Sequence, residues 1–233
     1  MMSTGDAACQ VCGHDRFEHV AVIWPELARQ WAISADEAAY LDVQQGTRCS
    51  RCGANVRSQA LARALLRLTG APGPFDDYTS GPQAAALRLL EVNEAGTLTP
   101  ALARLPGHRL VRFPEVDLQA LPFADGAFDV VVHSDTLEHV PDPDRALAEC
   151  RRVLSPAGAC VFTVPVVVGR LTRGRAGLEP SFHGSPGSRD ADLLVHSEFG
   201  SDVWTRVIDA GFASCEMVPY RYPAGLAIVG RCR

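Results

Sequence analysis

The chain reads as an α/β protein, a mostly parallel buried sheet with a small metal-binding module in front of it. Three observations predict this. Phe128-Asp-Val-Val-Val-His133 and Ala159-Cys-Val-Phe-Thr-Val164 are short apolar runs of the kind that form strands buried on both faces. Between them lies an amphipathic stretch from Asp144 to Leu154 and a Gly turn, the order of a strand-helix-strand crossover. At the front, Cys9-Gln-Val-Cys12-Gly and Cys49-Ser-Arg-Cys52-Gly repeat one pattern. Two such turns supply four sulfur ligands, a closed tetrahedral set suited to structural Zn²⁺.

The bulk properties agree with a compact enzyme-sized domain. A chain of 233 residues with 47% hydrophobic content fits one large domain, or one domain plus an appendage. Its net charge of −5 argues against a general nucleic-acid binder. No apolar run reaches the ~18–20 residues that span a bilayer. The N-terminus shows no basic segment followed by an apolar one, so a cytoplasmic location is expected. All 22 basic residues are Arg, which excludes Lys-based Schiff-base or P-loop chemistry.

In the front module, Cys9, Cys12, Cys49 and Cys52 are the candidate metal ligands, with zinc as the expected ion and iron or redox use as the alternative. The Gly after each pair lets the turn reach positive φ. The 36 residues between the two pairs require a small subdomain there. Within it, Ile33 to Leu41 reads as a helix with Ser34 as N-cap and Glu37 placed for a capping box. Arg57 to Leu68 reads as a second helix, with Leu61, Leu65 and Leu68 on one face. Its Arg57, Arg63 and Arg67 read as a solvated face, with anion binding as the alternative. The Gly/Pro/Asp-rich run from Thr69 to Pro82 is a linker, dividing residues 1–70 from 83–233.

In the second part, Ala86 to Val92 is the first parallel strand, and Thr97 or Thr99 caps a helix reaching about Leu105. His108 to Phe113 is the next strand. Ligands of open α/β sheets bind at strand carboxyl ends, so Ser134, Asp135, Thr136, Glu138 and His139 enter as site candidates. Cys150 and Cys160 read as buried fillers. Ser201 to Ala210 is a helix with Val203, Trp204, Val207 and Ile208 inward, ended by Gly211. Ala213–Val218 and Leu226–Val229 form an antiparallel closing pair.

The block from Leu121 to Pro165, LPFADGAFDVVVHSDTLEHVPDPDRALAECRRVLSPAGACVFTVP, resembles the class I S-adenosylmethionine (SAM) methyltransferases. That resemblance implies a Rossmann-like methyltransferase sheet, SAM as cofactor and a small-molecule substrate. It places Glu91 at the acid of the first strand, Asn93 and Ala95 where two Gly are expected, and Gly96 in the same turn. It places Asp117 and Leu118 at the adenine, and Ser134 beside the methionine part of SAM. Only 24 residues separate Gly96 from Leu121, room for one helix and one strand. The second strand, its helix and the ribose-binding acid are therefore expected to be missing, with His108–Phe113 read as the third strand. Glu91 and Asp117 are expected to converge on one hollow.

The resemblance narrows to a subgroup that pairs a Cys-x-x-Cys module with a Phe/Tyr-His-Gly motif in the loop after the fifth strand, here Phe182-His183-Gly184. His183, His139 and Glu138 are the catalytic candidates, because an imidazole or a carboxyl group can move an acceptor's proton. Arg170, Arg173 and Arg175 read as a solvated loop, with attraction of an acidic substrate as the alternative. Two other functions stay open: a methyltransferase scaffold turned to another reaction, and a non-catalytic zinc-containing partner protein. The methyl acceptor and the oligomeric state are not legible.

Overall fold

The computed structural model describes residues 7–184, 187 and 189–233. Its centre is a six-stranded sheet of β3 (Leu89–Val92), β4 (His108–Val111), β5 (Phe128–Ser134), β6 (Leu154–Thr163), β10 (Ser214–Tyr220) and β11 (Gly225–Arg231). The spatial order is β10-β11-β6-β5-β3-β4. β4, β3, β5 and β6 run parallel; β11 and β10 close the far edge antiparallel. The Rossmann-like α/β expectation is met, and the edge beside β3 carries one strand, as the short spacing required. That strand lies directly against β3, pairing Glu91 with Leu110. His108–Val111, expected as the third strand with the second missing, therefore fills the inner, second-strand position, and among the described residues no strand lies outside it.

Two apolar layers cover the sheet. On one face α6 (Pro143–Val153) and α7 (Val203–Asp209) bury Leu147, Cys150, Val153, Val203 and Val207 against Val131, Phe162 and Ile228. Trp204 and Ile208 were expected inward but lie 49% and 39% exposed. The short helix buries one stripe, Val203 and Val207, and Trp204 and Ile208 lie one position round from it, turned outward.

On the other face sits α3 (Val56–Thr69), capped by Asn55, whose side chain accepts from Ser58 N–H, and ended by Gly70 at φ 68. Its Leu61 and Leu65 are fully buried, each contributing about 1.5–3 kcal/mol. The layer runs without a break from Cys9 and Val11 through α3 to Val130 and Val229. α3, on the N-terminal side of the expected 70–83 boundary, thus packs on the sheet itself. The expected linker contains a helix, α4 (Phe75–Ser80). Burial of Phe75 and Tyr78 outweighs the local Gly/Pro composition.

The front segment holds β1 (Phe17–His19), α1 (Pro25–Gln30), α2 (Ala35–Gly46) and β2 (Thr47–Cys49). α2 has the expected capping box: Glu37 N–H donates to Ser34, and Ser34 N–H donates to Glu37. The helix after Gly96 is shorter than expected, α5 (Thr99–Leu102). The insertion after β6 forms a three-stranded patch of β7 (Val166–Val167), β8 (Arg173–Gly174) and β9 (Ser197–Gly200). No helix among the described residues is long and apolar enough to cross a membrane.

Candidate functional site

Two cavities open over the carboxyl ends of β3 and β5. The larger, about 540 Å³, is lined by Asn93, Glu94, Asp117, Leu118, Ser134 and Thr136 among others. The smaller, about 370 Å³, is lined by Ile23, Trp24, Leu27, Trp31, Arg57 and His183 among others. They share Asp135, His139 and Leu193. Both volumes suit small ligands.

Of the expected cofactor residues, Asn93, Asp117, Leu118 and Ser134 line the larger cavity. Asn93 stands at φ 53, so the left-handed turn expected of Gly survives on a residue that tolerates it. Its side-chain oxygen accepts from Phe113 N–H at 3.1 Å, tying the turn to the chain beyond β4. Asp117 Oδ1 accepts from Gln119 N–H at 2.8 Å, which fixes the carboxylate at the rim. Ser134 Oγ meets Thr163 Oγ1 at 2.8 Å.

Glu91 does not join them. Its side chain is fully buried under the turn. Oε1 accepts from Ala95 N–H at 2.7 Å and Thr99 Oγ1 at 2.5 Å, and Oε2 pairs with His108 Nε2 at 2.6 Å. The expected convergence of Glu91 and Asp117 fails, because β3 turns Glu91 toward the α3 side of the sheet. The carboxylate fastens the turn that Asn93 opens. Gly96, at φ 58, also lies off the cavity lining; a Cβ there would meet Ser58 Oγ at 2.8 Å. It permits close packing of the turn on α3.

Asp135 is the hinge between the cavities. It holds φ 44, an uncommon conformation for a non-glycine residue. Its side chain pairs with Arg57 and accepts from Gln45 Nε2 at 2.7 Å. Arg57 is therefore no solvated helix residue: the first turn of α3 points it at the end of β5. Only the fold brings positions 57 and 135 together.

Glu138, His139 and His183 do assemble. His139 Nδ1 lies 3.0 Å from the Leu194 carbonyl. A carbonyl only accepts, so Nδ1 carries the proton and Nε2 is bare. His183 Nδ1 lies 3.0 Å from that Nε2. Glu138 Oε1 is 3.6 Å from His183 Nδ1 and 3.8 Å from His139 Nε2, and among the described residues neither carboxyl oxygen has a hydrogen-bond partner. Burial pushes His183 down to about 3 and lowers His139 too, so desolvation favours the neutral form of both rings. Burial, with Asp135 nearby, holds the Glu138 carboxyl well above the usual range. Desolvation moves both imidazoles below the near-neutral titration expected of them.

The segment Val166–His196 positions His183. Trp31 Nε1 donates to Ser181 Oγ at 2.9 Å, and His183 N–H donates to Leu193 O at 3.0 Å. Arg170, Arg173 and Arg175 were read as solvated. Instead they surround buried Glu198, and Arg170 also donates to Trp31 O at 2.9 Å. They lock the loop to the front segment.

The four front cysteines converge. Cys9 and Cys52 sulfurs lie 3.7 Å apart, as do those of Cys12 and Cys49. All four sulfurs lie within 4.8 Å of one another. A tetrahedral zinc with ~2.3 Å bonds separates sulfurs by about 3.8 Å. Gly13 and Gly53, both at φ 74, close the turns, and all four thiols are free of disulfides. The donor set fits zinc.

Residues 85–162 match the family described as "Methyltransferase domain". The ubiquinone biosynthesis O-methyltransferase of Psychrobacter arcticus is 33% identical over 113 residues, 48% of this chain and 37% of that protein. The malonyl-[acyl-carrier protein] O-methyltransferase of Geobacter sulfurreducens is 32% identical over 158 residues, 63% of this chain and 58% of that protein. The chain thus spans less than two thirds of the length of each of these curated relatives. A solved SAM-dependent methyltransferase from Thermotoga maritima, titled a possible histamine N-methyltransferase, has a TM-score of 0.42 at 17% identity, covering 73% of this chain and 94% of that one.

Proposed function

We propose that this chain, which belongs to the class I SAM-dependent methyltransferase family through residues 85–162, methylates a small molecule. One observation carries the reading: two cavities meet at Asp135 and His139, both residues of that segment, over the carboxyl ends of parallel strands. SAM, when bound, supplies a methyl carbon on sulfonium, open to in-line attack.

Asp117, Leu118, Asn93 and Ser134 hold the cofactor in the larger cavity. The left-handed Asn93 turn lets backbone approach it closely. The acceptor occupies the smaller cavity, against Ile23, Trp24, Leu27 and Trp31, which exclude water and favour an apolar or flat body. His139 and His183 face the acceptor's reactive atom and ease loss of its proton, with Glu138 buried behind them. The four cysteines hold a structural zinc. Residues 1–70 are the module that shapes the acceptor wall, and 83–233 the methyltransferase domain.

Calorimetry of the full chain with SAM and with its demethylated product tests this. The expected result is micromolar binding of both. No heat at millimolar ligand would end the methyl-transfer reading. One observation favours a rival, a scaffold turned to another reaction: Glu91 is spent on the turn and the sheet edge is one strand short. That rival gains if SAM fails to bind while the chain stays folded.

A further inference from the structure

We propose that Glu138, His139 and His183 bind a divalent first-row metal cation between the two cavities, separate from the four-cysteine site. The proposal rests on the methyl-transfer reading only where it names the acceptor.

Geometry is the first support. His139 Nε2 and His183 Nδ1 are 3.0 Å apart, and Glu138 Oε1 lies 3.6 Å from the second and 3.8 Å from the first. The centre of a triangle with those sides lies about 2.0 Å from every corner, the bond length of such a metal to imidazole nitrogen and carboxylate oxygen. A cation there replaces the hydrogen bond between the two rings, and His183 then carries its proton on Nε2.

Unmet bonding is the second. Glu138 is 1% exposed, and among the described residues both its oxygens are without a hydrogen-bond partner. Buried carboxyl groups are normally hydrogen-bonded, paired or ligated to metal. The two rings offer Glu138 no bond shorter than 3.6 Å. A cavity of about 10 Å³ beside Glu138 and His183, lined also by Ser197 and Glu198, is the size of one water.

Orientation is the third. The Leu194 carbonyl fixes the His139 ring with Nε2 facing Glu138 and His183, the outer support that metal-ligating histidines commonly have. Two imidazoles and one carboxylate suit Zn²⁺, Fe²⁺ or Mn²⁺ rather than a soft thiolate-seeking ion. Three protein ligands leave a coordination position open, and His139 and His183 line the smaller cavity. The acceptor class that completes the shell is a small molecule with a hydroxyl or carboxylate oxygen. A cation-bound hydroxyl ionises more readily than a free one.

The test uses the full chain with zinc already on its cysteines and Mn²⁺ alone as probe, followed by electron paramagnetic resonance. One equivalent of bound Mn²⁺ is expected, unchanged in Cys49→Ser if that variant folds. Glu138→Gln and His183→Ala are each expected to weaken it at least ~100-fold. The wild-type stoichiometry decides alone if a variant fails to fold: no bound Mn²⁺, and no Zn²⁺ or Fe²⁺ beyond the cysteine-held equivalent, overturns the site. Undiminished Mn²⁺ affinity in folded Glu138→Gln overturns it too. SAM calorimetry on the same samples separates the two readings. SAM binding without cation uptake rejects this site alone; cation uptake without SAM binding rejects methyl transfer alone.

Discussion

The larger cavity takes most of its lining from one stretch, Val92 to Pro141, whereas the smaller takes more than half of its own from Val22 to Arg57. The first wall is local: strand ends of a parallel sheet converge whenever the sheet forms. The second wall is remote. It needs the front segment to fold, to dock on β7–β9 through Arg170 and Trp31, and to swing Arg57 onto Asp135. On the proposed reading, a site can thus keep a generic cofactor half while its acceptor half varies with a separate module.

Breaking the remote wall is expected to have the largest effect. Cys49 ends β2, Cys52 follows, and α3 with Arg57 begins directly after. Structural zinc contributes on the order of 10 kcal/mol in isolated knuckles. Cys49→Ser is expected to remove one zinc equivalent and lower the thermal midpoint sharply, with acceptor KM rising far more than SAM affinity falls. Undiminished zinc content by elemental analysis would reject the four-cysteine site.

The local wall is sharpened by a pair of carboxylates. Asp117→Ala is expected to weaken SAM about tenfold, the cost of one lost charged hydrogen bond. Glu91→Gln is expected to leave SAM affinity within about twofold while costing about 1–3 kcal/mol of stability, because it disturbs buried bonds to Ala95, Thr99 and His108. Calorimetry and urea midpoints on both variants check this; the reverse pattern would restore Glu91 to the cofactor.

The smallest effect is a pH dependence of the loop under the larger cavity. Glu149 accepts from Leu121 N–H, and Arg152 donates to the carbonyls of Leu121 and Phe123. Hydrogen bonding to Arg152 holds Glu149 below its ordinary 4.5. A depressed carboxylate stabilises the fold above that ordinary value, and the contribution is lost as pH falls through the lowered one. Glu149→Gln is expected to cost under about 1 kcal/mol near neutrality, and the gap from wild type should close below pH 4.5. A gap that stays constant across the acid range would assign the effect to packing.

The sequence by itself determined the chain order of the six central strands, the parallel core, the short leading edge and the four-cysteine set. Each rests on local information: a two-residue gap between thiols, runs of Val and Phe, a Ser34/Glu37 cap, a spacing too small for two crossovers. It also named Glu138, His139 and His183, though not their neutrality, since desolvation depends on what packs around them. Tertiary structure alone decided the direction of Glu91, because its partner His108 sits across a strand pair. It also decided that Arg57 reaches Asp135 and that Arg170, Arg173 and Arg175 close on Glu198. Those are contacts between residues 23 to 78 positions apart, set by how layers stack and not by any periodicity along the chain.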